Sequence, residues 1–186
     1  LQGGVYITEY GVSQAGNMQG NGIYPAQLFQ LFVNGSGMAY GHRVEAYRKL
    51  GMAGEMGMTA GLALIGAGVI FLYLWIFDYN RIKKMKWFPI TAWMTLAGFL
   101  TLYMATIYFP WDFMVRRLGS LVENLQFPWR MLSVGTLFFT VALGGLLILA
   151  GELRGKTFYY MIAGIVSTVT VVTAAFMFYN RLNTSN

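Results

Sequence analysis

Residues 112–130 concentrate nearly all the chemistry this chain can offer: Asp112, Arg116, Arg117, Glu123, Gln126 and Arg130, set in a sequence otherwise poor in charge. Arginine is the side chain best suited to gripping phosphate, because its planar guanidinium presents paired N–H donors. Arg116, Arg117 and Arg130 together can hold a polyprenyl-phosphate or sugar-phosphate headgroup. Arg130 stands at the start of a long apolar stretch, where a cation opposes the helix dipole. Something must offset it, and a carboxylate, a lipid phosphate and a ligand phosphate all qualify. Lipid-headgroup anchoring, or a structural ion pair with Glu123 or Asp112, competes with the ligand reading. Asp112 and Glu123 are the only acids placed to act as a general base there. A helical salt bridge is the alternative role for each, since Asp112 and Arg116 are i,i+4 neighbours.

Other chemistries are excluded by what is missing. Cysteine is absent, which removes disulfides, thiolate metal sites and Cys nucleophiles. His42 is the only histidine, too few for a His-rich metal centre. No Walker loop, HExxH or Gly-x-Ser-x-Gly occurs. No cofactor is identifiable, and a divalent metal is left to the full-length protein.

The elements that must position the charged segment are apolar. Four stretches, Met58–Phe77, Pro89–Tyr108, Met131–Ala150 and Phe158–Phe178, hold no charged residue. Each is long enough to cross roughly 30 Å of hydrocarbon as a helix. Hydrophobic residues make up 56% and charged residues 11%, with mean hydropathy +0.52. Soluble domains carry about 25% charged residues. The expected fold is therefore an all-α transmembrane four-helix bundle, with 58–178 as its membrane region. Residues 1–57 form an outer-face, Gly-rich segment with a short interfacial helix over Pro25–Val33, and 179–186 form an outer tail. Without buried charges in the spans, a self-contained transporter is disfavoured.

Between the second and third spans, Trp111, Met114, Leu118, Leu121 and Leu125 repeat at helical spacing. They predict an amphipathic helix over 110–125, lying in the interface plane on the outer face. Pro25, Pro89, Pro110 and Pro128 each stand at a helix start. Trp75, Trp87, Trp111 and Trp129 fall near span ends, as an aromatic belt requires. Gly57-Met-Thr-Ala-Gly61, and the series Thr136, Thr140 and Gly144, are candidate close-packing faces between helices.

Net charge is +6, and basic loops beside membrane helices account for it better than nucleic acid does. The 78–88 loop holds Arg81, Lys83, Lys84 and Lys86 against Asp78, which makes it cytoplasmic. Loop 151–157 is then cytoplasmic too. Both ends of the chain and segment 109–130 lie outside a cell membrane crossed several times. The chain opens on Leu1, not Met, and is read as an internal or C-terminal piece of a longer protein.

Leu118-Gly-Ser-Leu-Val-Glu-Asn-Leu-Gln-Phe-Pro-Trp-Arg-Met-Leu132 resembles the approach to a late membrane helix in certain prokaryotic multispanning proteins. These are described as carrying a 6-pyruvoyl-tetrahydropterin synthase-related membrane domain, and look like GT-C-type glycosyltransferases. Gln126-Phe-Pro-Trp-Arg130 is the specific core. Tyr24-Pro-Ala-Gln-Leu-Phe29 is a looser match to an outer loop. Soluble pterin synthases use histidine-bound zinc, which one histidine cannot supply. The resemblance implies instead sugar transfer from a polyprenyl-phosphate donor on the outer face, with Arg130 and Gln126 as motif positions near the donor phosphate. The catalytic acid of GT-C enzymes lies in a first outer loop outside this chain. The implied partners are membrane lipid, a lipid-linked sugar donor, and further transmembrane helices of the same or another chain. A non-catalytic membrane subunit of a larger assembly, or a carrier of lipid-linked sugars, are the competing functions.

Overall fold

The computed structural model describes residues 22–29, 60–119, 122 and 128–184. Among them the regular elements are all helices, apart from one isolated bridge between Ile23 and Thr106. The helices are α1 (Pro25–Leu28), α2 (Leu62–Phe77), α3 (Tyr79–Ile82), α4 (Phe88–Ala105), α5 (Trp111–Leu118), α6 (Met131–Arg154) and α7 (Lys156–Thr184). A 3-10 turn, Pro128–Arg130, leads directly into α6.

Three helical segments are long and apolar enough to cross a membrane: Phe88–Ala105, Pro128–Arg154 and Lys156–Phe176. The first expected span is different. Its helix covers Leu62–Phe77, 16 residues. That is about 24 Å at helical rise, short of a hydrocarbon core. Gly61, with φ +84, stands immediately before it, so this glycine turns the chain into the helix. Ala60 beside it is buried, and Gly57, Met58 and Thr59 of the motif lie outside the described residues.

The other expected boundaries shift for local reasons. α4 ends at Ala105 and not Tyr108, because Thr106 turns extended (φ −84, ψ 159). α6 runs past Ala150 to Arg154, and α7 begins at Lys156. The expected 151–157 loop is thus reduced to Gly155, whose φ of +83 lets two antiparallel helices meet through one residue. α7 continues to Thr184, through most of the expected tail.

α6 is the central helix. It packs most extensively on α4, and then on α7 and α2. Two hydrophobic clusters mark the bundle's ends. One joins Ile65, Leu102, Ala105 and Leu132; the other joins Phe71, Ala92, Leu146 and Leu149. The start of α2, the end of α4 and the start of α6 therefore share one end, as up-and-down threading requires.

Close approach between helices uses glycines, though not Gly144 of the expected Thr136–Thr140–Gly144 series. Phe139 of α6 is fully buried, and a Cβ on Gly68 or Gly98 would stand 2.6 or 3.0 Å from its ring. The ring occupies a notch made by two glycines, and Phe99 meets it edge-on at 5.1 Å. Gly135 faces Thr101, and Gly145 sits so close to Thr91 that a side chain there would overlap its hydroxyl. Thr140 and Gly144 lie on the exposed side of α6, with nothing near Gly144. The Thr136–Thr140–Gly144 series is therefore not the packing face. Both hydroxyls bond back to their own helix, Thr136 to the Leu132 carbonyl and Thr140 to the Thr136 carbonyl, each at 2.7 Å.

The 22–29 segment docks onto the end of α4. The Ile23 N–H donates to the Ala105 carbonyl at 2.9 Å, and the Ile107 N–H donates to the Ile23 carbonyl at 3.0 Å. A Cβ on Gly22 would stand 2.5 Å from the Ile107 nitrogen, so the glycine permits this approach. Leu28 is buried in the same cluster. Of the expected interfacial helix over Pro25–Val33, the described residues form a single helical turn, Pro25–Leu28, and residues 30–33 lie outside the described set.

Candidate functional site

The candidate surface sits at the end of the bundle where α4 finishes and α6 begins. The aromatic turn from Tyr103 to Trp111 builds its floor. The Tyr103 hydroxyl donates to the Tyr108 carbonyl at 3.1 Å, and its ring meets Phe109 edge-on at 5.4 Å. Phe109 lies 4.7 Å from Trp111, centroid to centroid. Trp111 is 2% exposed, and its indole N–H donates to the Met104 carbonyl at 2.8 Å. That carbonyl is in the last turn of α4, where intrahelical partners run out. Trp111 is thus a buried strut, not a belt residue at the lipid surface. Trp129 is also half-buried, against the Ile23–Leu132 cluster. Trp75 packs inside the opposite cluster. Of the expected belt, Trp87 is exposed, and so is Trp93, within α4 and outside that belt.

α5 is amphipathic as its spacing predicted, but shorter. It ends at Leu118, where Gly119 takes φ +52 and its N–H closes on the Val115 carbonyl at 2.8 Å. Trp111, Met114 and Val115 face the protein with Val122 and Met131, while Leu118 is 45% exposed and leaves the expected stripe. Leu121 and Leu125 lie outside the described residues.

The sequence-predicted site residues divide accordingly. Asp112, Arg116 and Arg117 are exposed on the outer side of α5. The acid is in the first turn and the two bases in the last, each on the side the helix dipole favours. The Arg117 guanidinium lies 5.6 Å over the Phe113 ring, and Phe113 is itself half exposed. Arg130 is exposed at the end of the 3-10 turn, inside the first turn of the helical run that becomes α6. Neither Asp112 nor Arg130 is without a partner. Gln126 and Glu123 lie outside the described residues.

One cluster ties these elements together. Met131, directly after Arg130, packs against the same buried pair, Trp111 and Val122, as do Met114 and Val115, the latter directly before Arg116. The elements bearing the three arginines therefore share one apolar footing, with their cations on its exposed side. Both Phe-Pro-Trp tripeptides act alike here: the proline starts a helical turn, the tryptophan turns inward, and the next residue, Asp112 or Arg130, is left outside. No family model, no curated protein and no solved structure matches the chain. Among the described residues, no group of three His, Cys, Asp or Glu side chains is placed to hold a metal ion. Chemically, a surface of exposed cations and exposed rings is suited to receiving an anionic group.

The aromatic floor was not foreseen. Its signal was present in Tyr103, Tyr108, Phe109 and Trp111, four rings within nine residues around a proline. The inward turn of Trp111 follows from the free carbonyl at Met104, which no spacing reveals.

Proposed function

We propose that this chain is the C-terminal membrane portion of a glycosyltransferase that moves a sugar from a polyprenyl-phosphate donor on the outer membrane face. The observation that supports this most is the shared footing of α5 and the start of α6, which presents Arg116, Arg117 and Arg130 at one end of an apolar bundle. A lipid-linked donor has an apolar tail and an anionic headgroup, and such a boundary suits both. The arginines would bind the donor phosphate and stabilise the charge that builds on it as the sugar departs. In this reading Gln126 adds a neutral donor, and Asp112 or Glu123 is a general base or a structural partner of the arginines. In this reading α2, 16 residues long, is a fourth and shorter membrane segment. The 78–88 connection faces the cytoplasm, and both ends of the chain lie outside a cell membrane.

A second reading, a non-catalytic membrane subunit, draws support from α7. Only 6% of its apolar window is buried, and Ile165, Val171, Val172 and Phe178 all face outward. Such a helix has room for neighbours from other chains.

The two readings separate on donor binding and transfer. With the intact protein and a labelled polyprenyl-phosphate sugar, Arg130→Ala is expected to weaken donor binding about 10- to 100-fold, as befits a charge-assisted bond. Arg130→Lys should fall between, because a lysine keeps the charge but loses the paired donors. Unchanged binding in both variants removes Arg130 from the site. No transfer by the intact wild-type protein favours the subunit reading.

A further inference from the structure

The opposite end of the bundle carries a second charged surface, independent of the glycosyl-transfer reading. We infer that it is a binding site for anionic phospholipid headgroups, built by Arg81, Lys83, Lys84 and Lys86 between α2 and α4, and completed by Arg154 and Lys156 where α6 meets α7.

One feature is that the connection is built, not slack. α3 folds on backbone bonds from the N–H groups of Arg81 and Ile82 to the Asp78 carbonyl (2.9 and 3.1 Å) and from Lys83 to the Tyr79 carbonyl (2.9 Å). The Met85 N–H then donates to Ile82, and that of Phe88 to Met85. Ile82 is fully buried, and Met85 packs on the Phe71–Leu149 cluster. With those two side chains held inward, the four cations between and beside them are left exposed. A loop whose only task was to carry positive charge for topology would need no such anchoring.

The second is imbalance. Among the described residues, the acids at this end are Asp78 and Glu152, against six cations. Antiparallel threading puts the α6–α7 turn on the same end as the α2–α4 connection, so the two groups of bases lie on one side of the bundle.

The third places the cations at headgroup depth. The Lys83 ammonium sits 5.0 Å from the Tyr79 ring centroid, the Lys86 ammonium 5.9 Å from Trp87, and the Arg154 guanidinium 5.3 Å from Phe158. Ile76 and Phe77, 73% and 69% exposed, flank them at the end of α2. Cations drawn onto rings beside an exposed apolar collar suit the lipid interface, where rings and ammonium groups share one layer. A surface for nucleic acid or a soluble acidic partner would gain nothing from that apolar collar. Basic residues next to a span attract anionic lipid over about a Debye length, so the preference must fall with salt.

The test is lipid retention by the full chain in detergent micelles, read by native mass spectrometry with equimolar phosphatidylglycerol and phosphatidylcholine. Wild type is expected to retain phosphatidylglycerol preferentially. Each cation neutralised should lower that preference about two- to fivefold. The variant combining Arg81→Gln, Lys83→Gln, Lys84→Gln and Lys86→Gln should lose it, while Lys83→Arg, Lys84→Arg and Lys86→Arg combined should keep it. Raising salt from about 0.15 M to about 1 M should erase it in wild type. Lys84→Gln alone is the reading to use if the fourfold variant unfolds at a lower temperature. Equal retention of both lipids by wild type, an unchanged preference in the glutamine variants, or loss in the arginine variant overturns the inference. Displacement of the lipid by soluble glycerol phosphate, or by an RNA oligonucleotide, assigns the surface to a soluble anion and overturns it as well.

Discussion

Thr95 is fully buried in α4, and its hydroxyl has no hydrogen-bond partner. The threonines on either side resolve the same problem locally: Thr91 donates to the Trp87 carbonyl at 2.7 Å, and Thr101 to the Gly98 carbonyl at 2.8 Å. An unpaired buried hydroxyl costs about 1–3 kcal/mol. Thr95→Val is therefore expected to leave thermal stability unchanged or raise it by about 1 kcal/mol, whereas Thr101→Val should lower it by about 0.5–1 kcal/mol. The midpoint of thermal unfolding in detergent distinguishes them, and a loss in Thr95→Val equal to that in Thr101→Val would mean that the hydroxyl is bonded after all. Trp111 is the other residue-scale test. Trp111→Phe keeps a ring but strands the Met104 carbonyl, for an expected loss of about 1 kcal/mol, measured the same way. If instead Trp111 were a lipid-facing anchor, the substitution would be nearly silent.

Helices here are fixed by a few backbone positions. Gly155 alone separates α6 from α7, at φ +83 and with nothing near its missing side chain. Gly155→Ala has no steric neighbour to offend, so its cost is purely conformational, about 1–2 kcal/mol. At Gly145 the logic reverses. The backbone is ordinary helix, but Thr91 occupies the space a side chain would need. Gly145→Val should push α4 and α6 apart and cost about 1–3 kcal/mol or more. Thermal unfolding reads both, and equal tolerance of the two substitutions would contradict the tight α4–α6 crossing. The same reasoning explains why small-residue spacing misdirected the packing reading. Thr136, Thr140 and Gly144 have the right period, but period does not say which side of a helix meets a neighbour.

For the whole molecule, the decisive piece is Phe139, which reaches from α6 to two other helices by filling the space at Gly68 of α2 and Gly98 of α4. Phe139→Ala should cost about 3–5 kcal/mol, seen as a large drop in unfolding temperature. The membrane orientation is tested separately by single cysteines in this cysteine-free chain. Lys84→Cys is expected to label from the cytoplasmic side and Asp112→Cys from the outside. Labelling of both from one side would overturn the threading.

Much of this could be read before any fold was known. Long apolar runs without charge, in a chain this poor in charge, point to lipid as the solvent for these helices. The prolines mark helix starts because a ring nitrogen costs nothing where the N–H is unbonded. Amphipathic α5 showed itself through its period, and the arginines through their rarity. Tertiary structure alone decided the rest. Whether a glycine is a notch, as at Gly68 and Gly98, or an idle surface position, as at Gly144, depends on which neighbour arrives. Whether a tryptophan meets lipid or caps a free carbonyl, as Trp111 does, depends on a turn seven residues away. In a chain where nearly every helix face is apolar, hydropathy separates protein from water but not one helix face from another, and only packing breaks that tie.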